Sequence, residues 1–144
     1  MSGEWRELTI VSNKHGMNWI RKPKRLAIYL RDGMACVYCG AGIEDGATLT
    51  LDHVRTRSNG GGNEAGNLVT CCRKCNTARG DRGVGKFCLD VAGYLNHGVK
   101  GDDILKGVAN QLSQPLDLNQ AKRIIGNRPT WQQALELASM EIKL

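Results

Sequence analysis

The strongest constraint on this chain is its cysteine spacing. Cys36 and Cys39 form one C-x-x-C pair, Cys72 and Cys75 form a second, and 32 residues separate them. Two such pairs place four thiolates tetrahedrally around zinc at roughly 2.3 Å, a closed structural site. The intervening stretch is longer than a zinc ribbon needs, so it must fold into structure of its own. A third thiol, Cys71, competes with Cys72 in "TCCRKCN". Pairing it with Cys75 would make C-x-x-x-C, and only Cys72 repeats the first spacing, so Cys72 is the expected ligand. Cys71 and Cys88 then read as small buried apolar residues. A disulfide framework is the competing reading of the six cysteines. The opening "MSGEWRELTI" lacks the charged start and apolar run of a secretory signal, and no stretch approaches the roughly 20 apolar residues of a membrane span. A reducing, cytoplasmic setting without a membrane is therefore expected, where paired thiols hold metal.

Period and punctuation supply the elements between and around the pairs. "PKRLAIYLRDG" has compact apolar residues, Pro23 for a first turn and Gly33 for a stop, which predicts a helix. "ATLTLDHVR" alternates Thr48 and Thr50 with Leu49 and Leu51, a short strand. A Gly/Asn-rich loop, "SNGGGNEAGN", leads to a second strand at "NLVTC" and a helix from near Arg73. Downstream, Phe87, Val91, Tyr94 and Leu95 have helical spacing in a segment ending His97-Gly98. Three further segments, "DDILKGVANQLSQP", "DLNQAKRIIGN" and "TWQQALELASM", each open on a capping type and carry a helical apolar stripe. The 144 residues thus divide into a basic arm over 1–20, a core over 21–86 and a helical extension over 87–144. That extension is the surface expected to carry a homodimer contact or a protein partner.

The formal net charge of +6 favours a polyanionic partner. Residues 1–35 hold seven Lys/Arg (Arg6, Lys14, Arg21, Lys22, Lys24, Arg25, Arg31) against three acids. With Trp5 and Trp19 the segment suits phosphates and bases, although a solvated arm is an equal reading. His15 and His97 are expected to be inert. The chemistry concentrates instead at "LDHV" and "CNTARGD". Asp52 and Asn76 offer a carboxylate and an amide oxygen, a donor pair suited to magnesium that keeps its remaining positions for water and phosphate. His53 is the nearby group able to take a proton from water at neutral pH. A regular strand would point Asp52 and His53 to opposite faces, so a bend or strand end is required there.

Taken together, "CVYCG … LDHV … GGGNEAGNLVTCCRKCNTARGD" resembles the HNH endonuclease family in its zinc-knuckle form, similar to phage resolving and homing nucleases and to the HNH domain of RNA-guided DNA endonucleases, over about residues 25 to 85. Such small proteins are common in phages and mobile elements. The resemblance implies an α+β, ββα-metal fold with a structural four-cysteine zinc site, flanked by an N-terminal helix and C-terminal helices. It implies hydrolysis of DNA phosphodiesters, with nicking the default and 5′-phosphate and 3′-hydroxyl ends. His53 corresponds to the general base, Asp52 and Asn76 to the ligands of a catalytic divalent ion, and Asn67 to the asparagine that stiffens the loop between the strands. Asparagine in place of a final histidine favours Mg²⁺ or Mn²⁺ in that site. His53 then needs an acceptor for its second nitrogen, expected to be a backbone carbonyl of the 60–70 loop held by Asn67. Arg55, Arg57, Lys74, Arg79 and Arg82 are the candidate DNA-phosphate contacts, Arg79 first among them. The alternative is a zinc-stabilised nucleic-acid-binding module that does not cut; a structural zinc domain serving protein contacts is a third.

Overall fold

A computed structural model describes residues 20–95, 98–127 and 130–143. The basic arm with His15, Trp5 and Trp19, and His97, lie outside the described residues. The chain is α+β: six helices and a small antiparallel sheet among those described. Helix α1 spans Lys22–Arg31 with proline in its first turn. It stops at Gly33 and Met34, both at positive φ, which turns the chain back toward the first cysteine pair. Strands β1 (Leu49–His53) and β2 (Leu68–Cys72) follow, paired from Leu49 with Cys72 to His53 with Leu68. Helix α2 (Arg73–Arg79) continues directly from β2.

Four more helices complete the chain: α3 (Val84–Leu95), α4 (Gly101–Ser113), α5 (Leu118–Gly126) and α6 (Trp131–Glu141). The side chains of Asp117 and Thr130 accept from Gln120 N and Gln133 N, as capping residues do at the starts of α5 and α6. The cap of α4 differs from its sequence expectation. Lys100 stands at the N-cap, and Asp103 reaches back to its N–H at 3.2 Å.

Two apolar clusters sandwich the sheet. Leu49, Leu51 and Leu68 pack with α1, Ala121 and Ile124 of α5, and Ala134 and Ala138 of α6. Val69 and Cys71 belong to the other cluster, with Tyr38, Phe87 and Val91 of α3 and Ile104 and Val108 of α4. Period two explains the split, since neighbours along a strand face opposite sides. Helices after residue 86 therefore share both clusters with the elements before it. Within α3, Phe87 and Val91 are fully buried whereas Tyr94 is 57% exposed.

The outer edge of β1 is fixed by side chains. Thr48 O accepts from Arg73 N and Val54 N donates to Asn67 O, so the alternate residues Leu49, Leu51 and His53 turn their backbone groups away from β2. Tyr29 donates to Leu49 O, Asn76 to Leu51 O and Arg79 to His53 O. A helix on either side thus holds the strand that carries Asp52 and His53.

Candidate active site and metal centre

The first cysteine pair sits on a tight knuckle. Gly40 N donates to Cys36 O, Cys36 N donates to Ala41 O, and Gly40 takes φ 82°, a conformation glycine adopts without a Cβ clash. Val37 N donates to Thr70 O, tying this knuckle to β2. The second pair follows at the β2–α2 junction, where Cys72 Sγ accepts from Cys75 N. Cys36, Cys39, Cys72 and Cys75 bring their four sulfurs within 4.8 Å of one another. Cys71 is fully buried and donates to Cys72 O, and Cys88 lies in the same apolar cluster. Crowding splits the thiols: hydrogen bonding, first from Cys71, holds Cys36 far below the usual thiol range, while burial pushes Cys39 up to about 11. Four soft donors at this separation could bind zinc, whose charge would let all four be thiolates.

Asp52, His53 and Asn76 line one cavity of about 780 Å³. β1 stays paired with β2 through both Asp52 and His53 and ends there. Asp52 Oδ2 accepts from Tyr38 at 2.7 Å and from the Arg79 guanidinium. Burial, with the Asp52 carboxylate next, pushes the Tyr38 hydroxyl far above the usual phenol range, so Tyr38 stays a donor. Asn76 uses its amide nitrogen on Thr50 Oγ1 (3.0 Å) and Leu51 O (3.4 Å), which orients its carbonyl oxygen away from β1.

His53 Nε2 lies 2.7 Å from Asn63 Oδ1. The orienting group is thus the side chain of Asn63 and not the backbone carbonyl expected from the sequence. An amide oxygen only accepts, so Nε2 is the donor toward Asn63. Asn63 is itself held: Lys24 of α1 donates to its backbone oxygen at 2.6 Å. Asn67 is buried and bridges the loop, accepting from Arg55 N at 2.8 Å and donating to Arg55 O at 3.0 Å and Gly62 O at 2.9 Å. The chain passes so close here that a Cβ on Gly61 would run into Arg55 O.

The basic residues divide into two groups. Arg55, Arg57 and Lys74 are exposed, and Arg57 lines the cavity. Arg79 departs from expectation: it is 2% exposed and donates to Asp52, Val54 O, His53 O and Arg82 O, so it offers no surface to a phosphate. Arg82 is half-buried, pairs with Asp90 and lies 5.1 Å over the Phe87 ring. In the N-terminal segment Arg21 and Lys22 are exposed, whereas Lys24 and Arg31 donate to carbonyls of the 63–68 loop and Arg25 to Tyr29.

Tyr38, Asn63, Arg73 and Trp131 complete the site and were not singled out from the sequence as site residues. Arg73 could have been, since it precedes Asn76 by three residues on one helix face. No spacing rule reaches Trp131 in α6.

No curated protein and no solved structure matches the chain. Residues 36–82, which contain both cysteine pairs, both strands, α2 and the Asp52, His53 and Asn76 side chains, match the family model of the HNH endonucleases, a likeness that points to nuclease-type activity in general.

Proposed function

We propose that the protein is a metal-dependent DNA endonuclease in which β1, β2 and α2 form a ββα-metal unit braced by a zinc site of four cysteines. The observation that carries this reading is the meeting of Asp52, His53 and Asn76 on one cavity at the end of β1. The donor set fits a hard divalent ion. Asp52 has one oxygen held by Tyr38 and Arg79, leaving Oδ1 for a cation, and Asn76 turns its amide oxygen outward. Mg²⁺ or Mn²⁺ bound there supplies charge stabilisation for the pentavalent phosphate and the departing 3′ oxygen. Zinc suits the four thiols, whose softness matches it, with Cys36, Cys72 and Cys75 buried and Cys39 half-buried.

In this mechanism His53 takes the proton of the attacking water, while Asn63 holds the ring through Nε2. In-line attack then gives 5′-phosphate and 3′-hydroxyl ends. Asn67 stiffens the loop that carries Asn63, and Arg55, Arg57, Lys74 and Arg73 are the exposed cations suited to phosphates. One such site per chain makes nicking the expected outcome.

The ion pair between buried Arg79 and Asp52 favours a second reading, since a cation already neutralises that carboxylate. The chain would then be a zinc-stabilised module that binds nucleic acid without cutting. Magnesium-dependent relaxation of supercoiled plasmid separates the two. His53→Ala should keep zinc, fold and DNA affinity while losing about 10²- to 10⁴-fold in rate. Asp52→Ala should regain part of its activity at high Mn²⁺. Absence of cleavage of plasmid, single-stranded and branched DNA by wild-type protein in every divalent ion would leave the binding module.

A further inference from the structure

The cavity that holds Asp52, His53 and Asn76 continues beyond them. Its lining also takes in Thr48 and Thr50 and, from α6, Trp131, Gln132 and Leu135. This helix lies outside the segment that matches the endonuclease family. The lining is basic, with Arg25, Arg57 and Arg73 against the single acid Asp52. A volume of about 780 Å³ falls in the range of sites that enclose one small ligand. A short length of single strand fits such a space. Trp131 is half-buried, with its ring backed by Tyr29 at a centroid distance of 6.4 Å. An indole that shares a lining with guanidinium groups is a combination that can bind a base by its face and the backbone by its charge.

We propose that this arm of the groove is a nucleotide subsite, in which Trp131 stacks on an unpaired base of the strand being cut and Arg57 and Arg73 hold the phosphates between that base and Asp52. The assignment rests on the nuclease reading and adds a substrate class to it: DNA with an unpaired base close to the scissile phosphate, as in a single strand, a flap or a branch. Stacking on an indole requires the base to leave its own stack. That costs least where the base is already unpaired, so continuous duplex is the disfavoured substrate.

The chain has three tryptophans, so full-length protein carrying Trp5→Phe and Trp19→Phe retains Trp131 as its sole indole. Adding His53→Ala allows titration in magnesium without turnover. The probes are one oligonucleotide sequence presented as single strand, as blunt duplex and as duplex with a single-stranded flap. Single strand and flap should quench Trp131 fluorescence, and blunt duplex should leave it unchanged. Trp131→Leu should weaken flap binding by about ten-fold. Trp131→Phe, which keeps a stacking ring and most of the packing against Tyr29, should retain most of the affinity. Gln132→Glu places an acid on an exposed position of the same wall and, with only its exposed hydrogen bond to Glu136 lost, should weaken flap binding while the melting temperature falls by no more than a few degrees. Equal quenching by blunt duplex, or wild-type affinity in both Trp131→Leu and Gln132→Glu, would overturn the subsite. If wild-type protein cuts plasmid while Trp131 stays silent, the subsite fails and the nuclease reading stands. If flap DNA quenches Trp131 but no DNA is cut in any divalent ion, the nuclease reading fails and the subsite stands as a binding site.

Discussion

Asn67→Ala removes the brace of the loop that brings Asn63 to His53. Its amide makes three hydrogen bonds to backbone, one accepted from Arg55 N and two donated to Arg55 O and Gly62 O, all between 2.8 and 3.0 Å. At a net value of about 1 kcal/mol each, with water reaching part of the exposed loop, the loss should be about 2 to 3 kcal/mol. Asn67→Asp makes a sharper test. It keeps the acceptor for Arg55 N but sets a carboxylate oxygen against two carbonyl oxygens, so it should destabilise at least as much as alanine despite its near-identical shape. Urea unfolding of the zinc-loaded protein measures both, with an unchanged m-value expected if only the native state is affected. Zinc content should stay at wild type in each variant, because the thiols are carried by the knuckles and not by this loop. Cleavage should fall further than stability explains, since the loop that orients His53 is loosened. Asn67→Ala within about 0.5 kcal/mol of wild type, the range of ordinary surface changes, or Asn67→Asp as stable as wild type, would refute the brace.

Three further outcomes are expected. Cys72→Ser should lose bound zinc and the cooperative unfolding transition, while Cys71→Ser keeps both; zinc analysis beside thermal melting checks this, and equal zinc loss from the two would reverse the choice of thiol. Arg79→Ala leaves Asp52 buried without its cation and should cost about 3 to 5 kcal/mol in denaturant unfolding, whereas wild-type stability with weakened DNA retention would return Arg79 to the phosphate contacts. Asn63→Asp puts a carboxylate 2.7 Å from His53 Nε2 and favours the charged ring, which cannot take a proton. The acid limb of its pH–rate profile should therefore move to higher pH, and Asn63→Ala should lower the rate without that displacement; unmoved profiles and rates in both would remove Asn63 from the mechanism.

Much of the candidate site is written locally. Ligands that share one metal knuckle must be near neighbours in sequence, so each C-x-x-C pair is visible as spacing, and the four sulfurs do converge. Strand alternation and helical period are equally local: β1 lies within "ATLTLDHVR", β2 overlaps "NLVTC" and α2 starts at Arg73. Period two also sets Asp52 and His53 on opposite faces of the strand; the bend expected between them is not where the chain departs from β1, which stays paired through both.

What period cannot tell is what stands opposite. Arg79 shares a helix face with Asn76, which from sequence alone suggested the phosphate; packing put Tyr38 and Asp52 in front of that face and buried the guanidinium. Lys24 and Arg31 count as surface charge until α1 docks beside the 63–68 loop and turns them into donors to its carbonyls. Asn63 holds His53 through a loop with no period to read, and Trp131 meets β1 only because α5 and α6 close over the Leu49 and Leu51 face. Composition, spacing and alternation act over a few residues and are determined by the sequence. The sign of a charged residue's role, surface contact or internal brace, depends on which distant backbone carbonyls lack donors, and only the assembled tertiary structure decides that.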